Sequence, residues 1–184
     1  MVNSRKSSRQ RLQQAAVDLF LEKGFDGTTA AEIAMRAGVT ERTFFRHFPD
    51  KREVLFDGQA VLLDALTASL ADVPPEAKPL DALFHAFRSV TPLLEANRPF
   101  SKPRQDVISA TPALHERELA KLEALSQALA QRLYMRGVQQ MHAALAAQIG
   151  MAAFADATLS WLENDDIGLN ERLDMADKAL KALI

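Results

Sequence analysis

The sequence has no cysteine. That excludes disulfides, thiolate metal sites and cysteine nucleophiles together, and it suits a reducing compartment. Catalytic signatures are missing as well. There is no Gly-x-Ser-x-Gly elbow, no phosphate-binding glycine loop and no Gly-x-Gly-x-x-Gly. No glutamate has a histidine three residues later, so the Glu-x-x-His pair of a di-iron bundle is missing too. Strand-like alternation of useful length and internal repeats are likewise lacking. The reading is therefore of a non-enzyme with no cofactor and no metal. No apolar run near 18 residues stands out, so no membrane span is expected. The polar, basic start, Met1 to Gln10, is not followed by an apolar signal segment, and a cytoplasmic location is expected.

What is present is helical pattern and asymmetric charge. Apolar residues make up 48% of the 184, enough for a packed core. The net charge of −2 divides unevenly. Residues 1–52 carry ten Lys/Arg against six Asp/Glu, a surplus of +4, and the remainder carries 12 against 18, a deficit of −6. A basic head on an acidic body is what a nucleic-acid reader needs, although chance imbalance accounts for the charge equally well.

Leu12, Ala15, Ala16, Leu19 and Phe20 mark the buried face of a first helix, which Gly24 ends. Thr29 with Glu32 reads as a capping box for a second helix, with Ala30, Ile33, Ala34 and Ala37 on its apolar side. Gly38-Val39 makes a short turn. Thr40 caps a brief third helix, which stops near Arg46 or His47 because Phe48 precedes Pro49. A long fourth helix is predicted over 50–71, in which Gly58 eases bending or permits close packing. The proline-rich stretch 72–79 is the clearest linker. A fifth helix over roughly 80–97 should be kinked or shortened by Pro92. Pro99, Pro103 and Pro112 leave room only for a short helix near 103–110. Three more follow, over 112–136 (ended by Gly137), 138–163 and 170–183.

Two short helices joined by a glycine turn over 28–48 form a helix-turn-helix pattern, whose second helix enters the major groove. Arg9 through Phe56 resembles the N-terminal domain of TetR-type (tetracycline-repressor) regulators. The matching residues are Ala15-Ala16, Leu19-Phe20, Gly24-Phe25, Thr28-Thr29, Ile33-Ala34, Ala37-Gly38-Val39, Thr43, His47-Phe48, and Lys51 with Leu55. One position departs: Phe45 stands where the family usually has a tyrosine whose hydroxyl meets a phosphate. Phe45 cannot make that bond, worth about 1 kcal/mol net, though its ring can pack on sugar or a thymine methyl.

The resemblance implies an all-α fold of about nine helices. It divides as a helix-turn-helix domain over 1–50, a connecting helix over 51–71 and a ligand-binding and dimerisation domain over 72–184. By resemblance, Thr28 or Thr29 meets phosphate at the start of the second helix, Arg42, Thr43 and Phe44 face base edges, and His47 and Lys51 hold phosphates. Thr40, Glu41 and Arg46 complete the polar set of the third helix. Phe44 is a base reader or a core residue, Glu41 a cytosine reader or a helix-end charge, and Arg46 a DNA contact or a C-terminal dipole partner. Arg5, Lys6 and Arg9 form an added DNA-binding arm or a solvated tail.

The resemblance also implies a double-stranded, palindromic operator, an unidentified small-molecule effector, and a homodimer through the last two long helices. Eight alanines over 143–157, with Val138, Met141, Leu145, Ile149, Leu159 and Leu162, suit close helix packing at such a seam. The segments that line the family's pocket hold Phe84, Phe87, Arg88, Phe100, Arg104, His115, Tyr134, Met141, His142 and Trp161. Each of these is a pocket candidate or an ordinary core or surface residue. The alternative function is a helical small-molecule- or partner-binding protein whose head no longer reads DNA.

Overall fold

The computed structural model describes residues 7–164 and 166–183. Arg5 and Lys6, the expected arm, lie outside them. Among the described residues there are nine α-helices, one 3-10 turn and no strand. They form two compact units. The head comprises the described residues up to Asp57 together with Phe100–Glu118; the body comprises Gly58–Pro99 and Leu119 onward.

In the head, α1 spans Ser8–Lys23, α2 Ala30–Arg36 and α3 Glu41–His47. The caps expected at Thr29 and Thr40 form. Each hydroxyl accepts from the amide three residues on, Glu32 N at 3.3 Å and Thr43 N at 3.2 Å. Between α2 and α3, Gly38 takes φ +66°. Its N–H donates to Met35 O at 3.1 Å and that of Val39 to Ala34 O at 3.0 Å, which satisfies the last carbonyls of α2. The head core joins Leu12, Ala16, Val17, Ile33, Phe44 and Phe48 to Val107, Ile108 and Leu114.

Two stretches differ from the sequence reading. The fourth helix is not continuous from 50 to 71. A 3-10 turn over Glu53–Phe56 comes first, and α4 spans Gln59–Asp72. Val54, Leu55 and Phe56 are consecutive and all buried. Three successive residues sweep more than half of an α-helix's circumference, so one α-helical stripe does not bury them all. Asp50 fixes the entry by accepting from Arg52 N (2.7 Å) and Glu53 N (3.1 Å).

The second difference is the proline-rich region. α5 spans Pro79–Ser89, and α6 runs unbroken over Thr91–Ala110 through Pro92, Pro99 and Pro103. Pro92 falls in the first turn, where no intrahelical N–H is needed. Pro99 and Pro103 are one turn apart on one side of the helix, so the N–H missing at Pro103 is the one that would have reached Pro99 O. Pro99 is exposed, and water satisfies carbonyls on such a face.

α7 spans Pro112–Met135 and ends at Gly137, where φ is +93°. α8 spans Gln140–Glu163 and α9 Leu169–Leu183. The body core gathers Leu66, Leu70, Leu83, Phe84, Phe87, Phe154, Trp161 and Leu173. Phe87 and Phe154 stack with ring centroids 4.6 Å apart. Arg136 closes the end of α4, donating to the carbonyls of Leu70, Val73 and Pro74. Asp177 is buried, which pushes its carboxyl up, but Arg88 and Lys181 hold it below the ordinary carboxylate value.

Two segments, Glu53–Asp72 and Gln140–Glu163, are long and apolar enough to cross a membrane by length and composition, with mean hydropathy 1.4 and 1.2. This corrects the expectation that no such run exists, because dispersed alanines raise hydropathy without forming a conspicuous block. The first segment is interrupted at Asp57-Gly58. The second supplies much of the body core through Ala143, Ala147, Met151, Phe154 and Trp161.

Candidate nucleic-acid interface

The third helix is two turns long, and its inward side is decided by Phe44. That ring is 0% exposed, 5.8 Å from Phe48. Phe44 therefore belongs to the core and does not reach a base edge, which corrects its expected DNA role. The outward face carries Glu41, Arg42, Phe45 and Arg46, all exposed. Thr43 is half-buried, its hydroxyl 3.0 Å from that of Thr40. His47, at the helix end, has Nε2 3.0 Å from Ser8 Oγ.

Two further expected phosphate ligands are turned inward. Thr28 is buried, and its hydroxyl donates to Gly24 O (2.8 Å) and Leu19 O (3.3 Å), so it ties α1 to α2. Lys51 Nζ donates to Phe25 O (2.7 Å) and Thr28 O (2.8 Å) and sits 4.3 Å above the Phe25 ring. Both corrections have one cause: carbonyls at the end of α1 and in the loop after it accept from these side chains. Thr29 remains exposed, with its amide and hydroxyl both donating to Glu32 Oε2 at 2.8 Å.

Most basic side chains of the head are matched by partners within the head itself. Arg9 pairs with Asp57, Lys23 with Glu32, Arg36 with Glu22 and Arg52 with Asp50. Arg11 Nε donates to Ala37 O at 3.0 Å. From the segment Phe100–Glu118, Lys102 pairs with Asp106, Arg104 with Glu118 and Arg117 with Glu53. Among the described Lys and Arg residues of the head, Arg42 and Arg46 are those left without a protein partner, and both are on α3.

Sequence reading did not anticipate the role of Arg104. Its guanidinium donates to Leu55 O and to both carboxylate oxygens of Glu118, and lies 5.1 Å from the Phe56 ring. It fastens the 3-10 turn instead of lining a pocket. A basic side chain between prolines carries no sequence signal for such a partner 49 residues earlier.

The other pocket candidates are dispersed. Phe100 is half-buried, and it and Arg104 belong to the head unit. In the body, Phe84 and Phe87 are fully packed and Arg88 is bound to Asp174 and Asp177. Tyr134, Met141 and His142 are exposed. The body does not gather them around one cavity among its described residues. Helical spacing cannot separate a core aromatic from a pocket aromatic, because both require the same inward face.

A capped two-turn helix that projects arginines, set behind a glycine turn on a three-helix core, is a helix-turn-helix head. The family described as "Bacterial regulatory proteins, tetR family" matches residues 12–57, and that described as "MftR C-terminal domain" matches 77–183. The chain belongs to the TetR family, with a C-terminal domain of the MftR kind.

Among curated relatives, the regulator TcmR of Streptomyces glaucescens is 39% identical over 85 residues, 46% of this chain and 38% of TcmR. The chain thus spans about two fifths of that relative's length. MftR of Mycobacterium tuberculosis, named for mycofactocin biosynthesis, is 24% identical over 177 residues, 94% of this chain and 88% of MftR. Of solved structures, Thermus thermophilus FadR in complex with lauroyl-CoA is 27% identical with a TM-score of 0.54, covering 94% of this chain and 92% of that one. The SmeT–triclosan complex has a TM-score of 0.64 at 20% identity, covering 95% and 91%, which is a likeness of fold.

Proposed function

We propose that this protein is a sequence-specific DNA-binding repressor that binds a palindromic operator as a homodimer and releases it when a small molecule occupies the body. The observation that carries the reading is the contrast on the head surface. Its basic side chains are bound to the protein's own carboxylates and carbonyls, except Arg42 and Arg46, which project from the helix that would enter the major groove. Arginine matches guanine O6 and N7 with two hydrogen bonds, a pairing worth about 1–3 kcal/mol of discrimination. His47 and Thr29 are the proposed phosphate contacts, with the amides at the start of α2 beside Thr29.

The exposed side of α8 supports a two-fold assembly. Met141, Leu145 and Ile149 are 66%, 48% and 40% exposed at spacings of four, and Leu159 continues the stripe. A second copy covers such a face without any new chemistry. Met175 and Leu183 extend the apolar surface on α9. The effector's proposed seat is within the apolar body. FadR is named with lauroyl-CoA, whose acyl chain is apolar while its coenzyme A part is polar and phosphorylated, and SmeT with triclosan; an apolar body site here suits the acyl chain and triclosan. An effector that prefers a different body conformation shifts the spacing of the two α3 helices and so weakens the complex.

Selection of bound sequences from random duplex DNA tests the reading. A palindromic consensus is expected, with affinity falling as salt rises. Arg42→Ala should relax the choice of base at one position in each half-site; an unaltered consensus removes Arg42 from the reading set. Failure to enrich any sequence would refute the proposal.

A further inference from the structure

The outward face of α3 contains one feature that hydrogen bonding and charge do not explain. Phe45 is 52% exposed there, between Arg42 one turn before it and the adjacent Arg46. Its ring stands edge-on to the buried Phe44, centroids 5.3 Å apart and planes at 84°. It is thus a plate braced from behind and bare in front. Phe45 has neither donor nor acceptor, so it reads no part of the hydrogen-bond code of a base edge.

Resting on the DNA-binding reading above, we infer that Phe45 is a specificity-determining residue that recognises the 5-methyl group of a thymine in the major groove. The methyl is the one apolar group that the major-groove edges of ordinary base pairs present. The minor groove, about 6 Å wide, does not admit a helix. The neighbours favour a base edge over the sugar–phosphate backbone. Glu41 shares the face, and its charge would be repelled by phosphate but can accept from a cytosine amine. The two unpartnered arginines supply the positive potential that draws this face into the groove.

The test uses the full chain and a duplex recovered by selection, with each thymine replaced in turn by uracil, which lacks only the methyl. For the wild type, uracil at one position per half-site should weaken binding about fourfold, the value of one buried methyl-sized group. Phe45→Ala should bind the thymine and uracil duplexes alike. If no uracil affects the wild type, the inference fails while the DNA-binding reading stands. The same holds if Phe45→Ala keeps the full penalty, or if it loses affinity equally on both duplexes and retains the wild-type ratio. A chain that binds no duplex overturns both. The uracil scan on the wild type decides the matter even if the alanine variant folds poorly.

Discussion

Glu32 shows how much one side chain organises in the head. Its carboxylate accepts from Lys23, then from the amide and hydroxyl of Thr29, and these hold it at about 2 instead of the ordinary 4.5. A carboxyl with a lowered folded-state value contributes stability above its unfolded value and loses it as pH falls towards the folded one. The start of α2 should therefore loosen between about pH 4.5 and pH 2. An NMR titration of the Glu32 carboxyl checks this, with Glu32→Gln expected to abolish the pH dependence of amide protection in α2 over that window. The capping role of Glu32 was legible from Thr-x-x-Glu alone. The choice between Phe44 and Phe45 was not. Adjacent apolar residues on a two-turn helix offer too few repeats to fix its phase. The inward turn of Thr28 and Lys51 was hidden for another reason: their partners are backbone carbonyls, which every sequence possesses.

Helices with cap residues at both ends were readable. Thr29 and Thr40 open α2 and α3, and Gly24, Gly38 and Gly137 mark stops with positive φ, whereas the Ser7 cap of α1 was not read. Elements that break local rules were not. α6 carries three prolines and persists because one lies in its first turn and the other two share a side. The turn over Glu53–Phe56 depends on anchors from the distant 100–118 segment, which local pattern does not report. Arg104→Ala should accordingly free this turn. It leaves Leu55 O and the partly buried Glu118 carboxylate short of donors, a loss of about 1–3 kcal/mol. Hydrogen exchange should show faster opening at 53–56, with a lowered unfolding midpoint. Unchanged protection would mean that Arg117–Glu53 alone secures the turn.

For the whole molecule, the all-helical class and the regulator family were both evident from about a quarter of the sequence. The effector site was not, since packed and ligand-facing aromatics obey the same periodicity. Assembly is tested on the outer side of α8. Ile149→Glu places a charge in the apolar stripe without disturbing the inward residues Ala147, Gly150 and Met151. The wild type should be dimeric at micromolar concentration in light scattering and the variant monomeric. Operator affinity should drop about a hundredfold or more, since each half-site then binds without the other. A wild-type monomer would remove the two-fold model.

If the chain reads DNA as proposed, the internal ion pairing of the head also affects how a target is found on a chromosome. Loose attachment to arbitrary sequence depends on cations displacing condensed counterions, and among the described residues of the head few Lys/Arg are left without a partner. On that reading, such a protein should slide only briefly between sites and reach its target mainly by repeated three-dimensional encounters. Occupancy would then depend on base-edge fit more than on general adhesion, and a modest loss of that fit would be enough to clear the site.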